Sequence, residues 1–334
     1  MSRTDNENTP AALPITSEEI GFKPDEMTAC AACGRANPPN RLNCFYCAVT
    51  FDAETVDRSR VKLAQTRLES WERGLNMVAV SATGEISDDA AADVARNIGG
   101  EWDLIRAAVD GNLPLPLVRI ESEAEAEIIA ANLLRIGILT TMVPDTAFAA
   151  DNLPIRCRSI DLCETTITLT PFNAGPPAQL NLEEIRLIVS GTLCESKVEA
   201  TENRKSRKST VEIESESTAE YFVIDIYHSD DHFGYRLSTK GFDFSCLGND
   251  MGYVAAANMQ ELLERIVKSA PEAKFVSNYN YLRRMLGSVW EVDERNDSLG
   301  IKRSGFGKTT IANVRTSSNL SQFTKYSRLH RQLL

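Results

Sequence analysis

Histidine is scarce in this sequence. Only His228, His232 and His330 occur among 334 residues, which leaves little material for a catalytic triad or an imidazole proton relay. Long apolar stretches are missing too: no run approaches the ~18–20 residues that span a bilayer. The opening MSRTDNENTPAALPITSEE has no basic segment followed by an apolar one, so no secretory signal is expected. Acidic residues are missing from the end of the chain. After Asp297 there is none, against seven basic residues: Lys302, Arg303, Lys308, Arg315, Lys325, Arg328 and Arg331. The net charge of −11 thus divides into −18 over residues 1–297 and +7 beyond them. An acidic body argues against a dedicated nucleic-acid binder, while the basic end is an asymmetry that a partner could use. No internal repeat is visible.

The chain does have eight cysteines and enough hydrophobic residues, 43%, for real cores. At roughly 100–200 residues per domain, its length suggests two or three domains. Four of the cysteines form two CxxC pairs in a long chain without a signal, so metal ligation in a reducing, cytoplasmic setting fits better than disulfides. The spacing is Cys30-x2-Cys33-x10-Cys44-x2-Cys47. Each CxxC turn aims two thiolates at one point and leaves backbone N–H groups beside the sulfurs. Two such turns complete a tetrahedral S4 site, the closed geometry of structural zinc. A catalytic zinc would need an open position, which this set does not provide. The intervening GRANPPNRLN is too polar to form a core, so one structural Zn2+ must supply most of the folding energy of this segment. Cys30, Cys33, Cys44 and Cys47 are therefore the expected metal ligands. Incidental burial of the four is the bland alternative, and a redox pair would want a βαβ context that is absent.

Residues 1–28 are polar and proline-containing and are expected to be disordered. The zinc ribbon is expected over 29–51. A linker helix follows at 53–74, with Val61, Ala64, Leu68 and Trp71 at helical spacing. Over 75–150 the pattern reads strand, two short helices, strand, helix, strand, with Ser87 and the Ser122/Glu125 pair as N-terminal capping signals. After Pro154 the texture is β, and residues 154–292 read as a small barrel closed by a helix carrying Met259, Leu262, Leu263 and Ile266. Residues 199–219 read as a long solvated hairpin loop, and 295–334 as a basic disordered tail. The expected fold class is a multidomain α+β protein: a zinc ribbon, a small α/β sandwich and a β-barrel with a C-terminal helix.

The segment CAACGRANPPNRLNCFYC resembles a zinc ribbon, and it follows the Ran-binding-protein-type finger spacing, with Asn37 at the asparagine position. That finger's usual tryptophan is replaced by Thr28, and the ubiquitin-binding Thr-Phe by Gly34-Arg35. The resemblance implies the metal and not a ligand specificity. SEAEAEIIAANLLRIGILTTMV and VARNIGGEWDLIRAAVDG resemble the C-terminal domain of the bacterial ribosomal stalk protein over 75–145. Where that family is basic, this chain has Asp88, Asp89, Asp93 and Asp110, with only Arg96 and Arg106 positive. The resemblance thus implies the fold and not the ribosomal role. NLEEIRLIVSG and AANMQELLERIVKSA give 154–270 the look of a pleckstrin-homology-like barrel. The first hairpin loop, near Leu162–Thr165, lacks the basic residues of phosphoinositide binders.

Other motifs carry less. Gly305-Phe306-Gly307-Lys308-Thr309 lacks the first glycine of a phosphate-binding loop, that position being Lys302. His228 and His232 bracket a turn-like Ser-Asp-Asp. Cys157, Cys163, Cys194 and Cys246 fall in expected strands as small core residues. Glu183–Glu184 and Glu123, Glu125 and Glu127 read as solvated faces, and Arg204–Lys208 as a basic loop offset by Glu212, Glu214 and Glu216. The sequence thus points to a non-catalytic cytoplasmic zinc-binding adaptor with a protein partner it does not identify. Lipid binding is not expected, and any nucleic-acid contact would be weak, salt-sensitive and made through 298–334. A nucleic-acid-associated protein using ribbon and tail, and an enzyme with an unrecognised site, are the alternatives.

Overall fold

The computed structural model describes residues 27–38, 41, 43–49, 51, 68–69, 71–205, 208–229, 233–305 and 308–334. For 203–205, 208–210, 212, 214, 301–305 and 308–310 the description is of the backbone. Most of the expected disordered start and of the linker helix, and His232, lie outside these residues. The chain divides into two compact units, residues 1–64 and 65–334. No helix among the described residues is long and apolar enough to cross a membrane.

In the first unit, β1 (Thr28–Ala29) pairs antiparallel with β2 (Ala36–Asn37). Two-residue strands bury almost nothing, so this pairing shapes a turn rather than a core.

The second unit is mixed α+β. Its first part runs β3 (Leu75–Ala82), α1 (Asp88–Ile98), α2 (Trp102–Asp110), β4 (Leu115–Ile120), α3 (Glu123–Arg135), β5 (Ile138–Pro144) and the short α4 (Asp145–Phe148). β3 lies between β4 and β5, antiparallel to both. Local chemistry sets the helix ends. Ser87 Oγ accepts from the Ala90 N–H and Ser122 Oγ from the Glu125 N–H, caps worth about 1 kcal/mol each. Gly99 ends α1 in the left-handed region at φ 68°, where a Cβ would be disfavoured. Both arginines on the helix pair are engaged by its aspartates: Arg96 with Asp93, and Arg106 with Asp88 and Asp110.

The second part runs β6 (Ile155–Leu162), β7 (Thr166–Pro171), β8 (Ala178–Asn181), β9 (Ile185–Lys205), β10 (Lys208–His228), β11 (Tyr235–Ser238), α5 (Ala255–Ser269), β12 (Lys274–Val276), α6 (Tyr279–Leu286), β13 (Asp293–Gly305), β14 (Lys308–Ser318) and α7 (Leu320–Gln332). One nine-stranded sheet has the order β13-β14-β9-β10-β11-β6-β7-β8, with β12 also on β9. Its inner face packs Ile160, Leu169, Ile188, Ile224 and Leu237 against Met259, Leu262 and Ile266 of α5. β8 and β13 stand at opposite ends of the strand order, so the sheet is a curled half-barrel and not the closed barrel expected. The edge of β9 that closure would use is taken by β14 and β12.

Two further expectations are overturned. The described residues of 199–219 are not a loop: they belong to β9 and β10, which pair out to Lys205 and Lys208. Val198, Thr201, Val211 and Ile213 supply β-branched residues among the charges, and β14 pairs with the other edge of β9. The described residues of 295–334 are not a disordered tail but most of β13, then β14 and α7. Phe323, Tyr326 and Leu329 recur every third position of α7 and are fully buried. Several of its polar residues are buried with partners. Gln322 donates to the Trp290 carbonyl and accepts from the Tyr279 hydroxyl, each at 2.8 Å. Ser327 meets the Tyr227 hydroxyl at 2.9 Å, and Arg328 donates to the Phe148 carbonyl at 2.7 Å.

His330 differs from these. It is 1% exposed, edge-on to Tyr326 at 4.7 Å, and neither ring nitrogen has a hydrogen-bond partner. Burial, reinforced by the Lys274 charge, lowers its pKa to about 3. An unfolded histidine takes its proton near pH 6.5. Between that pH and 3 the unfolded chain therefore binds more protons, and stability falls as pH falls, by at most about 1.4 kcal/mol per pH unit. His330→Phe keeps the ring contact and removes the titration. Denaturant melts across this range should give a flatter pH dependence for His330→Phe; parallel curves would show that His330 does not titrate as described.

Candidate metal centre

Both CxxC segments fold into the same turn. The Gly34 N–H bonds the Cys30 carbonyl at 2.8 Å, and the Ala48 N–H bonds the Cys44 carbonyl at 2.9 Å. The return bonds also match: Cys30 N–H to the Arg35 carbonyl at 3.0 Å, and Cys44 N–H to the Val49 carbonyl at 2.8 Å. Gly34 and Ala48 occupy equivalent left-handed positions, φ 69° and 58°. Glycine suits the first; alanine at the second costs about 1–2 kcal/mol, so the second turn needs something beyond local preference to hold it.

That support comes from Asn37, which is fully buried. Its Oδ1 accepts from the Phe45 N–H at 2.8 Å, while Nδ2 donates to the Arg35 carbonyl at 2.8 Å and to Cys44 Sγ at 3.5 Å. One side chain thus ties the first turn to the second. The sequence marked this position by spacing, and the structure gives it a physical role.

The four sulfurs all lie within 4.8 Å of one another, with Cys30–Cys47 at 3.6 Å and Cys33–Cys44 at 3.5 Å. A tetrahedron with metal–sulfur bonds of ~2.3 Å has edges of about 3.8 Å, so the arrangement fits a single ion. Cys30 and Cys44 are buried, Cys33 and Cys47 exposed. The thiols hold their protons unequally. Burial works against a Cys44 thiolate, but N–H donors from Tyr46 and Cys47 outweigh it and bring the pKa to about 6. At Cys47 the Val49 N–H favours the thiolate, yet burial and the three neighbouring thiols push it up to about 12. Four thiolates this close cannot all ionise unaided; a divalent cation at their centre is what would let them. Cys30, Cys33, Cys44 and Cys47 thus form a potential metal site. Among the described residues this is the one cluster of three or more such side chains.

The other sequence candidates do not converge on a second centre. His228 Nε2 pairs with Glu184 at 2.8 Å, and the histidine holds that carboxyl below its usual range. Cys157 is buried and pushed up to about 12. Cys163 is exposed. Burial and the carboxylate of Glu220 raise Cys194, which accepts from Arg283 at 2.7 Å. Gly305 and Lys308 end two antiparallel strands, a geometry that does not cradle a phosphate at a helix start. Sequence reasoning missed Phe45 and Tyr46, between the second pair of ligands. They are 67% and 52% exposed, stacked edge to face at 5.5 Å. Arg41 lies over Phe45 at 4.9 Å and Arg35 over Tyr46 at 4.6 Å. Two adjacent aromatics in a segment too small to bury them were the available signal.

No family model, curated protein or solved structure matches this chain.

Asn37→Ala removes the tie between the turns while leaving all four sulfurs. Competition with a chromophoric chelator should show metal affinity 10–100-fold weaker, roughly the range for supporting residues around a metal. Unchanged affinity would mean that the cysteines alone organise the site.

Proposed function

We propose that this protein is a non-catalytic adaptor whose Cys30–Cys47 segment is a zinc ribbon with one structural Zn2+, and that its modules bind other proteins in a reducing, cytoplasmic setting. The donor set supports zinc: four thiolates in a tetrahedron suit this ion, and an Fe–S cluster is the main competitor for such ligands. The observation that carries the binding role is the exposed Phe45–Tyr46 pair under its two guanidiniums. Exposed aromatics beside arginine are the side chains that anchor protein interfaces. Metal coordination holds them outward without a core of their own.

On this reading residues 75–145 are a ribosomal-stalk-like module without that family's basic face. The half-barrel is a pleckstrin-homology-like module that docks protein rather than lipid, since the β6–β7 turn, Leu162–Thr165, has no basic residue. Anionic membrane recognition draws on clustered Lys and Arg near the surface, each worth about 1 kcal/mol.

Metal analysis and affinity capture test the proposal together. The full chain grown in zinc-replete medium should carry one zinc per chain, and Cys33→Ser should carry none while the second unit still melts cooperatively. A Phe45→Ser, Tyr46→Ser double variant should keep its zinc and lose the proteins captured by the wild type in nuclease-treated lysate. Absence of zinc, or an unchanged set of captured proteins, would count against it.

A further inference from the structure

The two basic segments of the sequence, 204–208 and 302–308, are about a hundred residues apart in the chain. The register of the large sheet places them side by side. β9 and β10 run out to Lys205 opposite Lys208, and β14 joins the same row with Lys308 opposite Lys205. Gly305 of β13 completes that row opposite Lys308. In the next row, Arg303 is opposite Thr309, Thr309 opposite Arg204, and Arg204 opposite Ser209. The third row is Lys302, Thr310, Asn203 and Thr210. Side-chain alternation puts successive rows on opposite faces. Lys205, Lys208, Lys308 and Lys302 therefore belong to one face, Arg204 and Arg303 to the other.

These three rows contain six basic residues and no acidic one. The glutamates that seemed to cancel the 204–208 cluster lie inward along the strands: Glu212 is opposite Thr201 and Glu216 opposite Val198. The nearest acidic register position to the end row is Glu202. At ~3.4 Å per residue it is about 10 Å from Lys205, a Debye length at about 0.1 M salt. It adjoins the third row, however, and lies about 7 Å from Arg204 on the same face, so it offsets one of the six charges. The row of Asp293, Ser318, Glu195 and Ala219 lies ten positions back along β9, about 34 Å from the end. Positive charge is thus gathered at one extremity of a chain that is otherwise strongly acidic.

We propose that this end of the four-stranded β13-β14-β9-β10 arm binds the phosphodiester backbone of duplex nucleic acid, without reading its sequence. The four strands span about 14 Å, wider than a major groove of about 12 Å, which admits a two-stranded β-ribbon. The contact is therefore with the phosphates that border a groove and not with its floor, in keeping with binding that ignores sequence. The other positions in the three rows are Ser, Thr, Asn and Gly, and hydroxyls and amides add phosphate contacts. An anionic membrane surface offers similar charge. The Ser, Thr and Asn positions of the rows favour the phosphodiester, and Phe306, between Gly305 and Lys308 in the sequence, is the one apolar residue there that a headgroup boundary could take. The inference does not depend on the metal centre. It also replaces the basic tail as the contact, because Lys325 is half-buried and Arg328 buried within α7, and deleting residues past Asp297 would remove β14 and α7.

The test uses the full chain and a fluorescent random-sequence DNA duplex of about 20 base pairs, titrated between about 50 and 200 mM salt. Wild type should bind with a log–log salt slope of up to about −5, six neutralised phosphates contributing about 0.9 each. Replacing Arg204, Lys205, Lys208, Lys302, Arg303 and Lys308 with Gln should weaken binding at low salt at least about tenfold and bring the slope near zero. If that variant does not fold, the row variant Lys205→Gln, Lys208→Gln, Lys308→Gln decides, with the slope reduced by about 3. Arg135→Gln with Lys268→Gln, two exposed basic residues away from the arm, should bind as wild type. No DNA binding at low salt, equal binding by the Gln variants, or attachment to phosphatidylserine vesicles in place of DNA would each overturn the proposal.

Discussion

Much of the second unit depends on a helix made last. α7 brings buried polar side chains to partners spread over the chain. Arg328 donates to the carbonyls of Phe148, Ala149 and Asn152 beside the small sheet. Ser327 meets Tyr227 on β10, and Thr324 accepts from Arg236 on β11. Arg236 itself is locked to Asp225 by two bonds of 2.6 and 2.7 Å, both residues being buried. An uncompensated charge there would be costly, as would an unpaired guanidinium at Arg328. Gln322 reaches Trp290, whose indole donates to Asn76 of β3 and lies edge-on to Phe148 at 5.3 Å. The small sheet and the half-barrel, which look like separate domains in sequence, are held in one unit by this polar and aromatic lattice.

This also explains which parts of the fold could be read from sequence. α1, α2, α3 and the strands around them follow from local signals: Ser87 and Ser122 as caps, Gly99 as a stop, apolar residues at helical spacing. α5 is legible for the same reason. α7 is not, because LSQFTKYSRLHRQ has only four strongly apolar or aromatic positions, and its Gln322, Thr324, Ser327 and Arg328 look solvated until their distant partners are known. The strands through 199–219 are hidden by charge, since an arm exposed on both faces does not show apolar–polar alternation. Closure of the barrel was misjudged because β12 and β14, the strands that take the open edge of β9, carry no local signal that names their partner.

The potential metal site was legible because its spacing is nearly its geometry: two CxxC turns can hardly avoid aiming four sulfurs together. Asn37 was recognisable by position, though its role as a tie between turns required the coordinates. Phe45 and Tyr46 were not read as a surface, since aromatics default to cores, and only a segment with almost no interior turns them outward. The charge pattern of the arm needed strand register, which brings together residues a hundred positions apart. The two units therefore rest on different physics. The first is shaped by backbone turns around four convergent thiols, the second by apolar packing and buried, paired polar groups.

The central claim is that Cys30, Cys33, Cys44 and Cys47 together hold one zinc ion. Zinc-edge X-ray absorption on the purified full chain tests it most directly. The account predicts a single shell of four sulfurs at about 2.3 Å. A shell containing nitrogen or oxygen near 2.0–2.1 Å, or fewer than four sulfurs, would contradict it.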